Sequence, residues 1–318
     1  MNLLKKSSRQ PFFQNCPIQK GCICDPNLQI ENKFSAINVV KEQFMKHWSS
    51  FLSQIFCICL EERPDRLTEA SQQFHKYGLC KLVQFYRTFR PSPEEIKMYG
   101  IQCRGFYGIW NSHQDLAKIS EKQRYENILV FEDDILFIEN RMTPDLILSL
   151  GTKLSNLPKN WEIFYLGHIP FFALPSSLDL SVWKVHSMMA HSYILSWNGI
   201  NKLSSCDYIT DVRQNNGSER GIDQWFCANF NQYALWPQIA VQSGSNSSNY
   251  HLKSSFFQDI VVPWGIETHR DNSDYFEIFT YFLLPVLLIV IFMWSIRKQK
   301  RLIILCIFLL FLQVWRFL

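Results

Sequence analysis

Apolar and polar positions follow two rhythms along the chain. Residues 55–60 (IFCICL), 82–86, 127–131 (NILVF) and 163–166 are short, almost continuous apolar runs, which suit strands buried on both faces of a sheet. Residues 182–185 and 193–195 read as shorter strands. Helical stretches lie between them. One spans 35–52. A second opens at Glu61-Glu62-Arg63-Pro64-Asp65-Arg66, with proline in its first turn, and is stopped near Tyr77 by Gly78. A third runs over 104–122, and a fourth begins at Thr143-Pro144-Asp145 with Thr143 as its N-cap. A fifth starts near Trp197, and a sixth runs from Gly221-Ile222-Asp223 to about Phe230; residues 211–220 are polar and loop-like. Strands alternating with such helices predict an α/β domain with a mostly parallel sheet, whose ligands would bind at the carboxyl ends of the strands.

The flanks have a different pattern. Residues 1–50 are irregular and polar, with Pro11, Pro17 and Pro26. Near the other end, residues 278–296 form a nineteen-residue stretch without a charge, close to the roughly 20 residues that span a bilayer. Pro285 within it is tolerable in a membrane helix. Arg297-Lys298-Gln299-Lys300-Arg301 follows, then a second apolar run over 302–315 that carries Gln313 and suits either half of a hairpin or an interfacial segment. The expected organisation is an N-terminal extension over 1–52, a main domain over 53–262, a linker over 263–275 and a membrane anchor over 276–318.

Sidedness is balanced between two signals. A basic loop is retained in the cytoplasm, so a hairpin would place the main domain in the lumen, where the sequons Asn216-Gly217-Ser218 and Asn246-Ser247-Ser248 would fit. The N-terminal Met1 to Ser7 lacks the apolar segment of a signal peptide. Cys57, Cys59, Cys80, Cys227 and Cys306 lie in apolar runs and read as buried thiols of a reducing compartment. Together these favour the cytosolic face over the lumenal one. Cys16, Cys22 and Cys24 are clustered but lack the paired spacing of a zinc site.

Composition narrows the function classes. Hydrophobic residues make up 47% and aromatics 15% of 318 residues, which supports a sizeable core and excludes a disordered chain. The net charge is +4 and no long basic stretch is interleaved with aromatics, so nothing points to a nucleic-acid partner.

The candidate chemistry lies at Glu132-Asp133-Asp134, directly after the apolar Ile128-Leu129-Val130-Phe131. Adjacent carboxylates repel, and desolvating an unpaired one costs several kcal/mol, roughly. A divalent cation resolves both problems, and hard oxygen ligands suit magnesium or manganese. Such an ion can bridge a carboxylate to a diphosphate. An acidic turn capping the next element is the bland alternative.

The segment NILVFEDDILF resembles the central motif of glycosyltransferase family 25, which includes bacterial lipopolysaccharide glycosyltransferases and the collagen galactosyltransferase group. Other segments follow in the family's order. Residues 55–66 are similar to its opening strand with an Arg-x-x-Arg turn, and Gly108-Ile109-Trp110-Asn111-Ser112-His113 to its Gly-x-x-x-Ser-His helix. Residues 161–167 (WEIFYLG) resemble its tryptophan–aspartate strand, and 190–196 (AHSYILS) its Ala-Tyr-x-x-Ser segment. Asp223 falls where the family has a later aspartate, and Pro237 to Gln242 with Ser247-Ser248 resemble its closing motif. The resemblance covers about residues 55–250; Ile109 and Glu162 depart from the family's usual cysteine and aspartate.

The resemblance implies a Rossmann-like GT-A type nucleotide-sugar fold and metal-dependent transfer of a hexose, galactose or glucose, from a UDP-sugar to a glycan, lipid or protein hydroxyl. It implies Mn2+ or Mg2+ as cofactor. Glu132 and Asp134 are the expected metal ligands, because alternation along an extended backbone puts them on one side; Asp133 is the rival and otherwise a donor contact. Arg63 and Arg66 are expected to meet the donor phosphates or base, unless they pair with Glu62 or Glu69 at the helix start. His113 is expected at the donor or as a buried histidine orienting the acidic loop. Asp223 is the candidate catalytic carboxylate, or else a helix N-cap. His251 is a candidate late metal ligand, while His168 and His191 read as structural. A sugar-nucleotide-binding relative without turnover and a nucleotidyltransferase are the alternatives, the latter disfavoured by the lack of a glycine-rich phosphate loop.

Overall fold

The computed structural model describes residues 18–20, 35–176, 180–214 and 221–243. The chain begins with strand β1 (Ile18–Lys20) and helix α1 (Ser35–Ser49), then β2 (Gln54–Leu60), α2 (Pro64–Lys76) and β3 (Val83–Thr88). Helices α3 (Pro93–Tyr99) and α4 (Arg104–Gln123) lead to β4 (Asn127–Glu132), β5 (Ile135–Phe137) and α5 (Pro144–Ser155). Strands β6 (Ile163–Tyr165), β7 (Ile169–Pro175), β8 (Val182–Met188) and β9 (Ser192–Ser196) follow. The described part closes with α6 (Trp197–Ser205), a π-helical segment Tyr208–Gln214, α7 (Ile222–Asn229), β10 (Gln232–Leu235) and β11 (Ala240–Gln242).

Nine strands form one sheet in the order β1-β3-β2-β4-β9-β6-β10-β8-β7, and β5 pairs with β11 separately. Strands β2, β3, β4, β6, β7 and β10 run one way and β1, β8 and β9 the other. Most strands therefore share a direction, as expected. The expected run of parallel neighbours is broken in the centre, where β9 lies antiparallel to both β4 and β6. Period-2 burial says that a strand is buried and nothing about its direction.

The sheet is covered on both faces. Ile55, Cys57 and Cys59 of β2, with Leu129 and Phe131 of β4, pack among residues of α1, α2 and α5. Phe56 and Ile58, with Ile128 and Val130, pack among residues of α4, α6 and α7. This two-sided burial is why the strands read as continuous apolar runs.

Several expectations are corrected. The described parts of the extension expected over 1–52 pack on the domain: Phe44 and Trp48 of α1 are buried in the core, and β1 pairs with β3. The loop expected over 211–220 begins as the π-helical segment, with Tyr208 and Val212 buried. Cys80 is disulfide-bonded and not a thiol, whereas Cys57 and Cys59 are buried thiols 3.6 Å apart, sulfur to sulfur. Among the described residues no helix is long and apolar enough to cross a membrane. The predicted anchor over 276–318, the linker, both sequons, His251 and Cys16, Cys22, Cys24 and Cys306 lie outside the described residues.

Two glycines are required by backbone geometry. Gly78 ends α2 with φ +68, a region that favours glycine. At Gly167, after β6, a Cβ would collide with the Ala240 carbonyl and the His191 ring, so only glycine lets β6 approach the β11 segment.

Candidate functional site

The site lies where β4 ends beside the carboxyl ends of β2 and the start of β9. Ile128 and Val130 face the α4 layer, and the same period aims Glu132 there. Glu132 Oε1 lies 3.2 Å from Nε2 of His113, in the middle of α4. The Nδ1 of His113 lies 2.5 Å from the Tyr193 hydroxyl of β9, and the two rings stack at 5.7 Å.

The strand stops at Glu132, and Asp133-Asp134 form a turn before β5. The alternation expected to place Glu132 and Asp134 together therefore ends one residue short of Asp133. Both aspartates instead reach Arg66 in the first turns of α2. Arg66 donates from one terminal nitrogen to Asp133 Oδ1 at 3.0 Å and to Asp134 Oδ2 at 3.3 Å. Asp133 Oδ2 also accepts the Leu60 backbone N–H at 3.2 Å, which ties the acidic turn to the end of β2. Asp134 Oδ1 is buried and has no hydrogen-bond partner. The Asp134 carbonyl accepts from Ser243 N–H at 2.6 Å, which anchors the turn beside β11.

The expected pairing of the two arginines with Glu62 or Glu69 is not what forms. Arg63 grips Asp65 with contacts of 2.7–3.1 Å at the start of α2, and Glu62 pairs with Arg90. Arg66 belongs to the acidic turn, while Arg63 remains close enough to Asp133 for the two charges to interact.

Asp223 is not a helix N-cap. Gly221 holds that position in α7, its N–H donating to the Gln224 side chain at 3.3 Å, and Asp223 is one residue inside the helix. The carboxylate folds back, Oδ1 accepting from Gln224 N–H at 2.9 Å. A Cβ on residue 221 would stand 2.6 Å from that oxygen, so glycine makes room for it. Asp223 interacts electrostatically with Glu132, His113, Tyr165 and Cys227.

Crowding of carboxylates under protein raises their pKa values. Burial, then the Asp133 and Asp223 charges, push Glu132 up to about 8. Burial, then Glu132 and Asp133, push Asp134 up to about 8. Asp133 is raised by burial against the opposing pull of Arg66 and the Leu60 N–H, and Asp223 is raised by burial as well. Burial pushes His113 down to about 3, so its ring is neutral and no counter-charge for the acids.

The metal set can be tested against these atoms. Among the described residues no three of His, Cys, Asp and Glu converge to hold a metal ion. Among the described residues the carboxylate oxygens of the cluster outside the hydrogen-bond network are Asp134 Oδ1, buried and unpartnered, Glu132 Oε2 and Asp223 Oδ2. A pair of carboxylates would suit a magnesium- or manganese-type ion whose shell is completed by phosphates and water, and would not make an all-protein cage. His168 and His191 are buried, with pKa values lowered to about 3 and about 4, and His168 stacks on Tyr165 at 5.9 Å; both behave as packing residues.

Two contributors escaped sequence reasoning. Tyr193 lay in a segment that otherwise reads as strand core, and only its place in the 190–196 motif marked it. The Leu60 N–H is a backbone donor with no sequence signal at all.

No protein-family model matches the chain, and none of the curated proteins does. Among solved structures the chain is similar to A197 from STIV, at 10% identity and a TM-score of 0.31, over 59% of this chain and 85% of that one. It is similar to UDP-glucose pyrophosphorylase complexed with UDP-glucose, at 10% identity and a TM-score of 0.33, over 63% and 78%. For the apo form of UDP-glucose pyrophosphorylase the values are 9% and 0.31, over 64% and 81%. Likenesses at this level carry nothing about the site, whose reading rests on its own geometry.

Proposed function

We propose that this chain is a metal-dependent hexosyltransferase that moves galactose or glucose from a UDP-sugar to a hydroxyl of a glycan, lipid or protein acceptor. The observation that carries the reading is a cluster of acids: among the described residues Glu132, Asp133, Asp134 and Asp223 interact at one end of the sheet, and Arg66 is bonded to two of them. The ordered motifs that resemble glycosyltransferase family 25 support the same reading. A divalent ion held by Glu132 and Asp134, Mn2+ or Mg2+, would supply charge neutralisation at the leaving diphosphate.

The chain's own residues divide the remaining work. Asp133 and Arg66 brace the turn that presents Asp134. Arg63, whose charge interacts with Asp133, would meet donor phosphate. His113 orients Glu132. If the reaction inverts the anomeric centre, Asp223 takes the proton of the acceptor hydroxyl as the new carbon–oxygen bond forms at the anomeric carbon and its bond to the diphosphate breaks. The membrane anchor over 276–318 belongs to the same proposal, and a chain ending at Asp274 that fractionates as the full chain does would remove it.

The deciding experiment measures hydrolysis or transfer from a panel of UDP-hexoses with Mn2+, comparing the full chain with Asp134→Ala. Release of UDP by the wild type and its loss in the variant are expected. An unchanged rate in Asp134→Ala would sink the assignment, and release of pyrophosphate would point to nucleotidyl transfer instead.

A further inference from the structure

Tyr193, His113 and Glu132 form a hydrogen-bonded chain that runs from the sheet interior to the acidic cluster. The Tyr193 side chain is fully buried, and the acceptor its hydroxyl meets is Nδ1 of His113, at 2.5 Å. A phenol hydroxyl that finds no acceptor in the interior forfeits its desolvation. The hydroxyl hydrogen therefore goes to Nδ1, and Nδ1 is a lone pair. A neutral imidazole with a lone pair on Nδ1 carries its hydrogen on Nε2. That hydrogen points at Glu132 Oε1, 3.2 Å away.

We propose that Tyr193 is a positioning residue: it fixes the Nε2–H tautomer of His113, which holds Glu132 by Oε1 and leaves Oε2 for the ligand. This rests on the reading of Glu132 as a metal-holding carboxylate. Three features support the arrangement. The His113 ring is 1% exposed and its two nitrogens are engaged by Tyr193 and Glu132 on opposite sides, so the ring links the two side chains without meeting solvent. The rings of His113 and Tyr193 stack, and Phe226 packs against both edge-on, so turning the imidazole to swap its nitrogens has to pass through the loss of its two aromatic contacts. Glu132 keeps 21% of its side-chain surface while His113 keeps 1%, so the accessible end of the chain is the carboxylate.

The test uses the full chain with 15N-labelled histidine and two-bond 1H–15N correlation at neutral pH. The His113 signals are identified by their loss in His113→Gln. The wild type is expected to show the Nε2–H tautomer, and Tyr193→Phe, which keeps the ring and the stacking, to populate the Nδ1–H form. Mn2+ titration should then show affinity about 10-fold weaker in Tyr193→Phe, the low end of the effect of removing a group that orients a metal ligand. An Nδ1–H tautomer in the wild type overturns the proposal, as does a Tyr193→Phe titration that superimposes on the wild type. A wild-type chain that binds no Mn2+ while showing the Nε2–H tautomer would instead overturn the metal-dependent function and leave the tautomer relay standing.

Discussion

Arg66 and Asp133 meet at 3.0 Å, from helix α2 to the end of strand β4, with each side chain only 9% exposed. Arg66 bonds two of the carboxylates at once, so its removal is asymmetric. Arg66→Ala leaves Asp133 and Asp134 buried without their guanidinium. A destabilisation of about 3–5 kcal/mol is expected, the usual cost of stranding a buried charge. Urea unfolding of the variant against the wild type measures it. Arg66→Lys should recover only part of the loss, because an ammonium meets the two aspartates as a point charge where the guanidinium offers a planar fork.

The raised carboxyl groups set a pH dependence with a definite sign. Glu132 and Asp134 titrate near 8 in the folded chain and near the ordinary carboxylate value of about 4 when unfolded. Between those values the folded chain holds more protons, so stability falls as pH rises. In metal-free buffer the thermal midpoint should therefore drop from about pH 5 to about pH 8. Under the proposed function, Mn2+ should restore it, with the larger gain at pH 8, where the bound carboxylates no longer have to lose protons. Differential scanning calorimetry with and without Mn2+ across that range checks both halves. A midpoint that rises with pH in metal-free buffer would contradict the crowding of these acids.

Helix α5 offers a control away from the site. Thr143 Oγ1 accepts the Leu146 N–H at 3.2 Å, as its position before Pro144 predicts. Thr143→Ala should cost about 1 kcal/mol of stability in chemical denaturation. Turnover should be untouched.

The parts of the fold that could be read from sequence are those with a local cause. Thr143 caps, Gly78 stops α2, and the two-sided burial of β2 and β4 produces apolar runs that place Glu132 at a strand end. Strand β7 was hidden by its Pro170 and Pro175, and β5, β10 and β11 are too short for a period to show. The reversal of β9 was invisible because pairing direction is not set by alternation: β8 and β9 run the same way, and the chain turns back earlier, between β7 and β8. At the site, the acidic triplet was legible from its charge cost. Its geometry was not: Arg66 and Asp133 are 67 residues apart, and helix periodicity relates a residue only to neighbours three or four away. The same limit hid the link from Tyr193 to His113, 80 residues apart.

Asp223 is where the proposed function and the structure can be separated most cleanly. Its carboxylate accepts the Gln224 N–H and interacts with Glu132 and His113, yet it forms no ion pair among the described residues. Asp223→Asn keeps the shape and the oxygen that accepts from Gln224, and it removes one negative charge from the acidic cluster. Folding stability should hold or rise slightly, since Asp223 helps push Glu132 up. If Asp223 accepts the acceptor proton, kcat should fall by about 10²–10⁴-fold, because an amide cannot serve as the base. KM for the donor should change little if the donor is held at Glu132 and Asp134, as proposed. Steady-state kinetics with a UDP-hexose and unfolding measurements on the same preparation distinguish the outcomes. A variant with unchanged kcat would return Asp223 to a purely structural place in the first turn of α7.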